Sequence, residues 1–190
     1  MRLFRYTVDY MKDAGVTNFL YSYSPNAIWG GSIDEAHLLK WYPGDDYVDI
    51  IGLSGYASPD LVNYPIYPKE GRWYYLDDTE GNVRVMQKMA LERGKIATFS
   101  EFGINASVAQ HGFASADHFN FNTFIDLMIE NNMPLAFALT WGNGEGGWMV
   151  PYRANRYNEN HPMMDEFIRF YNHEKVVFAD RLDGVYTLFD

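Results

Sequence analysis

The sequence predicts a parallel α/β fold in which four buried strands alternate with helices, arranged as part of a (β/α) barrel rather than as a doubly wound sheet. Short apolar runs alternate with stretches of helical period, and the run Tyr47–Leu53 (YVDIIGL) is apolar almost throughout, as in a strand covered on both faces. Each run also ends in a polar or aromatic cluster: Tyr23-Ser24-Pro25-Asn26, Ser54-Gly55-Tyr56, Ser100-Glu101-Phe102-Gly103 and Thr140-Trp141-Gly142-Asn143. Barrel enzymes assemble their sites from the C-terminal ends of several strands at once. A doubly wound sheet would load only the strands beside its switch point.

The first element is an amphipathic helix near residues 2 to 14, with Leu3, Phe4, Val8 and Met11 on one face and Gly15 as its stop. Asn18–Ser24 (NFLYSYS) follows as a strand closed by Pro25 and Asn26. A loop with Trp29 and Gly30-Gly31, then a helix near 33 to 41, lead into the strand Tyr47–Leu53. The long stretch Ser54–Asp78, rich in Pro, Tyr and Trp, reads as a loop. It precedes a helix near 82 to 93, where Val83, Met86, Met89 and Ala90 share a face and Gly94 ends the element. Lys95–Ser100 (KIATFS) is the third strand.

Asp117–Asn131 carries Phe121, Phe124, Ile125 and Met128 at helical spacing, and Pro134 introduces the strand Leu135–Thr140. Pro162 suits the first turn of a last helix with Met163, Met164, Phe167 and Phe170 on its inner side, before the tail Val176–Asp190. No linker, repeat or low-complexity stretch divides the 190 residues, so they read as one domain.

The charge narrows the partners. With 25 acidic against 15 basic residues and a net charge of -10, the chain repels phosphate backbones and anionic lipid, which argues against nucleic acid and membrane partners. No apolar run approaches the roughly 20 residues that span a bilayer. Met1–Tyr10 is mixed and charged, unlike a signal peptide, and reads as the interior of a longer protein. The absence of cysteine removes disulfide and thiolate chemistry without fixing the compartment. The 17% aromatic content exceeds what a core of this size requires, and flat rings with a polar edge suit the C–H faces of sugars, while the same rings equally suit a barrel core and its helix contacts.

Glu101 is the leading candidate for chemistry, because a carboxylate at the end of a buried strand must be hydrogen-bonded or functional to be tolerated. A retaining glycosidase needs such an ionised carboxylate as nucleophile, with a protonated partner roughly 5 to 5.5 Å away. Trp141, one strand on, suits the floor of a sugar subsite, and Tyr56, one strand back, suits a hydrogen bond that keeps Glu101 ionised; either ring equally suits a core. Asn143 and Trp148 complete the candidate sugar contacts. The loop aromatics Tyr64, Tyr67, Trp73, Tyr74 and Tyr75 read either as a cleft wall or as a loop folded on its own rings. His111 and His118 have no partners at ligand spacing, so neither metal nor other cofactor is expected. His173-Glu174 follows the last helix rather than ending a strand, and Glu145 lies among glycines; neither is a convincing second carboxylate.

The stretch Tyr42-Pro-Gly-Asp-Asp-Tyr-Val-Asp-Ile-Ile-Gly-Leu, then Ser100-Glu-Phe-Gly, then Thr140-Trp-Gly-Asn with Pro151 downstream, resembles glycoside hydrolase family 26, the β-mannanase family. Arg5-Tyr-Thr-Val-Asp-Tyr and Asn18-Phe-Leu-Tyr-Ser-Tyr-Ser-Pro-Asn are similar to the middle of that family's catalytic domain, so the resemblance covers nearly the whole chain.

The resemblance implies a retaining (β/α)8 barrel hydrolase acting on β-1,4-mannan or galactomannan, some relatives cutting mixed-linkage β-1,3-1,4-glucan instead. It places this chain as the C-terminal half, strands 5 to 8. Glu101 then matches the nucleophile, Tyr56 the tyrosine that touches it and Trp141 the aromatic of the eighth strand. Ser54 departs from the aspartate common before that tyrosine. The family's His-Glu pair, with the acid/base, lies on a strand before the helix that begins here at Arg2, so no acid/base is expected in this chain and the fragment alone is expected to be inactive. The parent enzyme is expected to be secreted or periplasmic. Two other readings stay open: a β-mannan-binding fragment that does not cleave, and a half-barrel whose open edges drive self-association.

Overall fold

In a computed structural model, residues 1–27, 33–57, 74–104, 134–140 and 164–182 are described, with backbone alone at 56, 57, 74–80, 102–104 and 166. They form α1 (Arg2–Asp13), β1 (Ser22–Tyr23), α2 (Glu35–Leu39), β2 (Ile50–Ala57), α3 (Tyr74–Glu92), β3 (Ile96–Ile104), β4 (Ala138–Thr140) and α4 (Met164–Tyr171). Short 3-10 turns cover Asp45–Tyr47 and Ala179–Arg181. The four strands lie in one sheet in the order β1-β2-β3-β4, every pairing parallel. Each strand sits beside its predecessor with no reversal, the singly wound order of a barrel wall rather than that of a doubly wound sheet.

Two glycines end helices as the sequence predicts. Gly15 (φ 78°) and Gly94 (φ 64°) occupy the left-handed region. Around each, paired bonds satisfy the last carbonyls: Gly15 N–H to Lys12 O and Val16 N–H to Met11 O, then Gly94 N–H to Leu91 O and Lys95 N–H to Ala90 O. At the start of α2 the Asp34 carboxylate accepts from the His37 N–H at 2.7 Å.

The core lies between the sheet and α3. Val83, Met86, Met89 and Ala90 pack in one cluster with Ile51, Leu53 and Phe99, joined by Leu38, Tyr42 and Val48. Asn82 is buried among them, and its Oδ1 accepts the Ile33 N–H at 2.5 Å, which ties the approach to α2 onto α3. Phe167 and Phe170 of α4 pack on the rim of this cluster and edge-on against Phe178.

Several boundaries differ from the sequence expectation. The first strand is two residues long, because the Asp49 carboxylate takes the Tyr21 N–H (2.8 Å) before the ladder begins. Tyr47 belongs to a 3-10 turn that follows Gly44 (φ 110°), so β2 starts at Ile50 and runs through the Ser54-Gly55-Tyr56 cluster to Ala57. Helix α3 starts at Tyr74 rather than near 82, which puts Tyr74 and Tyr75 in its first turn and not in the loop. On α1, Val8 is buried but Leu3 is exposed. The expected helix 117–131 and the tail beyond 182 lie outside the described residues.

Candidate active site

Parallel pairing brings the C-terminal ends of all four strands to one edge of the sheet. Beyond β1 the chain still tracks β2: the Ser54 N–H bonds Pro25 O (3.0 Å), the Ala27 N–H bonds Ser54 O (2.7 Å), and Asn26 bridges Ser54. Tyr56 is opposite Gly103, and Thr140 opposite Phe102, at the head of the Trp141-Gly142-Asn143 cluster. Trp141, Asn143, Trp148 and Glu145 lie outside the described residues, as do Tyr64, Tyr67, Trp73, His111 and His118.

Glu101 is half-buried in the C-terminal half of β3. Its cross-strand partner is Ser54, and that pairing exists only because the register slips: Leu53 is opposite Phe99, yet Ser54 is opposite Glu101. The slip recurs on the other side of β3, where Phe99 faces Ala138 and Phe102 faces Thr140. Ser100 is the extra residue, so β3 carries a one-residue bulge directly before Glu101.

Below the carboxylate the inner face of the sheet is lined by small and hydroxyl side chains. Ser24 and Ser54 hydroxyls lie 3.4 Å apart, and Thr98 and Ser100 hydroxyls 3.0 Å apart. Gly52 sits between them; a Cβ there would come within 2.0 Å of Ser100 Oγ, 2.7 Å of Thr98 Oγ1 and 3.1 Å of Ser24 Oγ. This layer was missed from sequence. Its signal is the alternation of large and small in Ile51-Gly52-Leu53-Ser54 and of Thr98-Phe99-Ser100, which the near-continuous apolarity of β2 hides.

The opposite end of the sheet is built for holding rather than reacting. The Tyr42 hydroxyl donates to Asp45 at 2.9 Å, Arg93 bonds the same carboxylate at 3.2 and 3.3 Å, and the Lys95 ammonium donates to Asp45 O at 2.7 Å. The hydrogen bond from Tyr42, then the Arg93 charge, holds the Asp45 carboxyl below its ordinary value. Burial first, then the bond to Asp45, pushes the Tyr42 phenol well above its own. Among the described residues no group of three or more acidic or histidine side chains is placed to hold a metal, and no helix is long and apolar enough to cross a membrane.

Comparison with known proteins agrees with this geometry. The chain is 32% identical over 148 residues to a mannan endo-1,4-β-mannosidase of Bifidobacterium adolescentis, a match covering 76% of this chain and 14% of that protein. The structure superposes on the catalytic domain of a family 26 endo-β-1,4-mannanase from Bacillus sp. JAMB-750 with a TM-score of 0.74 at 31% identity, covering 96% of this chain and 45% of the other. For a Cellulomonas fimi endo-β-1,4-mannanase double mutant the values are 0.73, 27%, 97% and 37%. The chain thus spans under half the length of each of these relatives. The family model for glycosyl hydrolase family 26 matches residues 1–133, a span that contains Glu101 and its bulge, and the chain belongs to that family.

Proposed function

We propose that this chain is the C-terminal half, strands 5 to 8, of a retaining β-mannanase barrel and supplies its nucleophile, Glu101. The observation that carries the reading is the position of Glu101 on the inner face near the C-terminal end of β3, within a chain of family 26. In that reaction a Glu101 carboxylate oxygen bonds the anomeric carbon of a mannosyl unit as the glycosidic bond breaks, and the leaving oxygen takes a proton from a second carboxyl group. Water, deprotonated by that group, then cleaves the glycosyl ester. We assign the second carboxyl to the other half of the barrel. Tyr56, Trp141, Asn143 and Trp148 are proposed as contacts to the sugar or the nucleophile.

Exposed apolar side chains at the start of β3, at β4 and on α1 support the half-barrel. Ile96 at the start of β3 and Phe137 and Leu139 before and on β4 are 41, 40 and 56% exposed, whereas parallel sheets are normally covered on both faces. Leu3, Tyr6, Tyr10 and Leu20 are likewise exposed on α1 and at the β1 edge. A whole barrel takes about 250 residues. A polymeric substrate places the parent enzyme outside the cytoplasm.

The test is reducing-sugar release from soluble galactomannan by the purified chain, by its Glu101→Ala variant, and by each mixed with the first four βα units of a family 26 barrel. Activity only in the wild-type mixture supports the reading. Activity of the chain alone assigns a second carboxylate within it and removes the half-site reading. An active Glu101→Ala mixture removes Glu101 as nucleophile. Retention on mannan without release in any mixture favours a binding role, and preference for β-1,3-1,4-glucan redirects the specificity.

A further inference from the structure

We infer that Ser100 is a positioning residue: as the one extra residue of β3 it turns Glu101 from the helix-side core to the inner face of the sheet. The inference rests on the reading of Glu101 as nucleophile for its importance, though not for its geometry.

Side chains of a strand alternate between faces, so a one-residue change of register moves every later side chain to the other face. Phe99 is fully buried with Leu53, Met86 and Met89 on the helix side. In an unbroken strand Glu101, two residues on, would follow it there and place a carboxylate in an apolar core, at a cost of several kcal/mol or a change of protonation state. Instead Glu101 pairs with Ser54, on the same face of β2 as Gly52. Both neighbouring ladders record the same insertion, so the bulge belongs to β3 itself.

Two features hold the inserted residue. Its hydroxyl is 3.0 Å from that of Thr98, which is fully buried. It also occupies the space that a side chain at position 52 would fill, since an ideal Cβ on Gly52 lies 2.0 Å from Ser100 Oγ. Gly52 is therefore the counterpart of the bulge on the neighbouring strand. The residue count at position 100, more than the hydroxyl, sets the direction of Glu101; the hydroxyl and Gly52 secure it.

The chain contains no cysteine, so single thiols report on faces without background. Ser100→Cys, Glu101→Cys and, as a benchmark for the helix-side core, Val83→Cys are each treated with a charged methanethiosulfonate under native conditions. Ser100→Cys and Glu101→Cys are expected to react at comparable rates, both at least about tenfold faster than buried Val83→Cys. Consecutive reactivity at 100 and 101 is incompatible with an unbulged strand; a Glu101→Cys as slow as Val83→Cys overturns the inference. In Glu101→Cys, replacing Ser100 by Ala is expected to keep the rate and deleting Ser100 to lower it at least about tenfold. A folded deletion variant, judged by circular dichroism, that keeps the fast rate also overturns it. If the deletion does not fold, the rates at 100 and 101 in the full sequence decide. None of these rates depends on sugar cleavage, so the inference and the nucleophile assignment fail separately.

Discussion

Gly52→Ala tests how tightly the inner face is packed. The new methyl group would sit 2.0 Å from Ser100 Oγ and 2.7 Å from Thr98 Oγ1, both closer than non-bonded atoms tolerate. Thr98 is fully buried and β-branched, with little freedom at χ1, so Ser100 must give way and lose its partner. Overpacking of this kind costs about 1 to 3 kcal/mol, and a lost hydroxyl pair about 1 kcal/mol more. The smaller entropy loss of Ala relative to Gly returns about 0.5 to 1 kcal/mol, leaving a net destabilisation of about 1 to 3.5 kcal/mol. Urea unfolding followed by far-ultraviolet circular dichroism measures it. The double variant Gly52→Ala/Ser100→Ala, which removes the nearer clash, is expected to show favourable coupling of at least about 0.5 kcal/mol. A Gly52→Ala protein as stable as wild type, or strict additivity of the two changes, would refute the packing argument.

Other outcomes follow from the same structure. Phe99→Ala, in the core between sheet and α3, is expected to cost about 3 to 5 kcal/mol by the same measurement. Asn82→Ala strands the buried Ile33 N–H, for about 1 to 3 kcal/mol. Because the folded Asp45 carboxyl sits below its unfolded value, it contributes stability above the unfolded value near pH 4 and loses it as pH falls through the folded one. Asp45→Asn is therefore expected to lower stability by under about 1 kcal/mol at pH 7, since the carboxylate is half exposed, and by progressively less as pH falls below about 4; a loss independent of pH would exclude this charge as the cause. Gly94→Ala, at φ 64°, is expected to shorten the end of α3 and cost about 1 kcal/mol, read as a lower melting temperature.

Much of this was legible because the signals are local. The periodicity of Val83, Met86, Met89 and Ala90 gave a helix face that the core uses, and Gly15 and Gly94 marked stops that require a left-handed residue. Glu101 stood out as a charge closing a buried run. The misread features depend on partners distant in sequence. The short first strand follows from Asp49 capturing the Tyr21 N–H, 28 positions away, and apolar pattern carries no trace of that bond. The bulge is equally silent, because Ser100 reads as an ordinary strand residue until β2 and β4 are laid beside it. Leu3 fell on the apolar stripe of α1 by spacing, yet that part of the stripe meets no core in this chain.

The unequal lengths of the ladders set the order in which this sheet opens. β2 and β3 pair from Ile50 opposite Ile96 to Ala57 opposite Ile104 and share α3, whereas the ladders of β1 on β2 and of β4 on β3 hold two pairs each, the first continued by the bridge from Asn26 to Ser54. Amide hydrogens of β2, α3 and β3 should therefore exchange with solvent last, through opening of the whole unit, while those leading into β1 exchange early through local release. The carboxylate then rests on the slowest-opening part of the molecule, and the two edge strands β1 and β4, each held by two pairs, release before it. A barrel closed onto this half would form its seams at the two labile edge strands while Glu101 stayed in place.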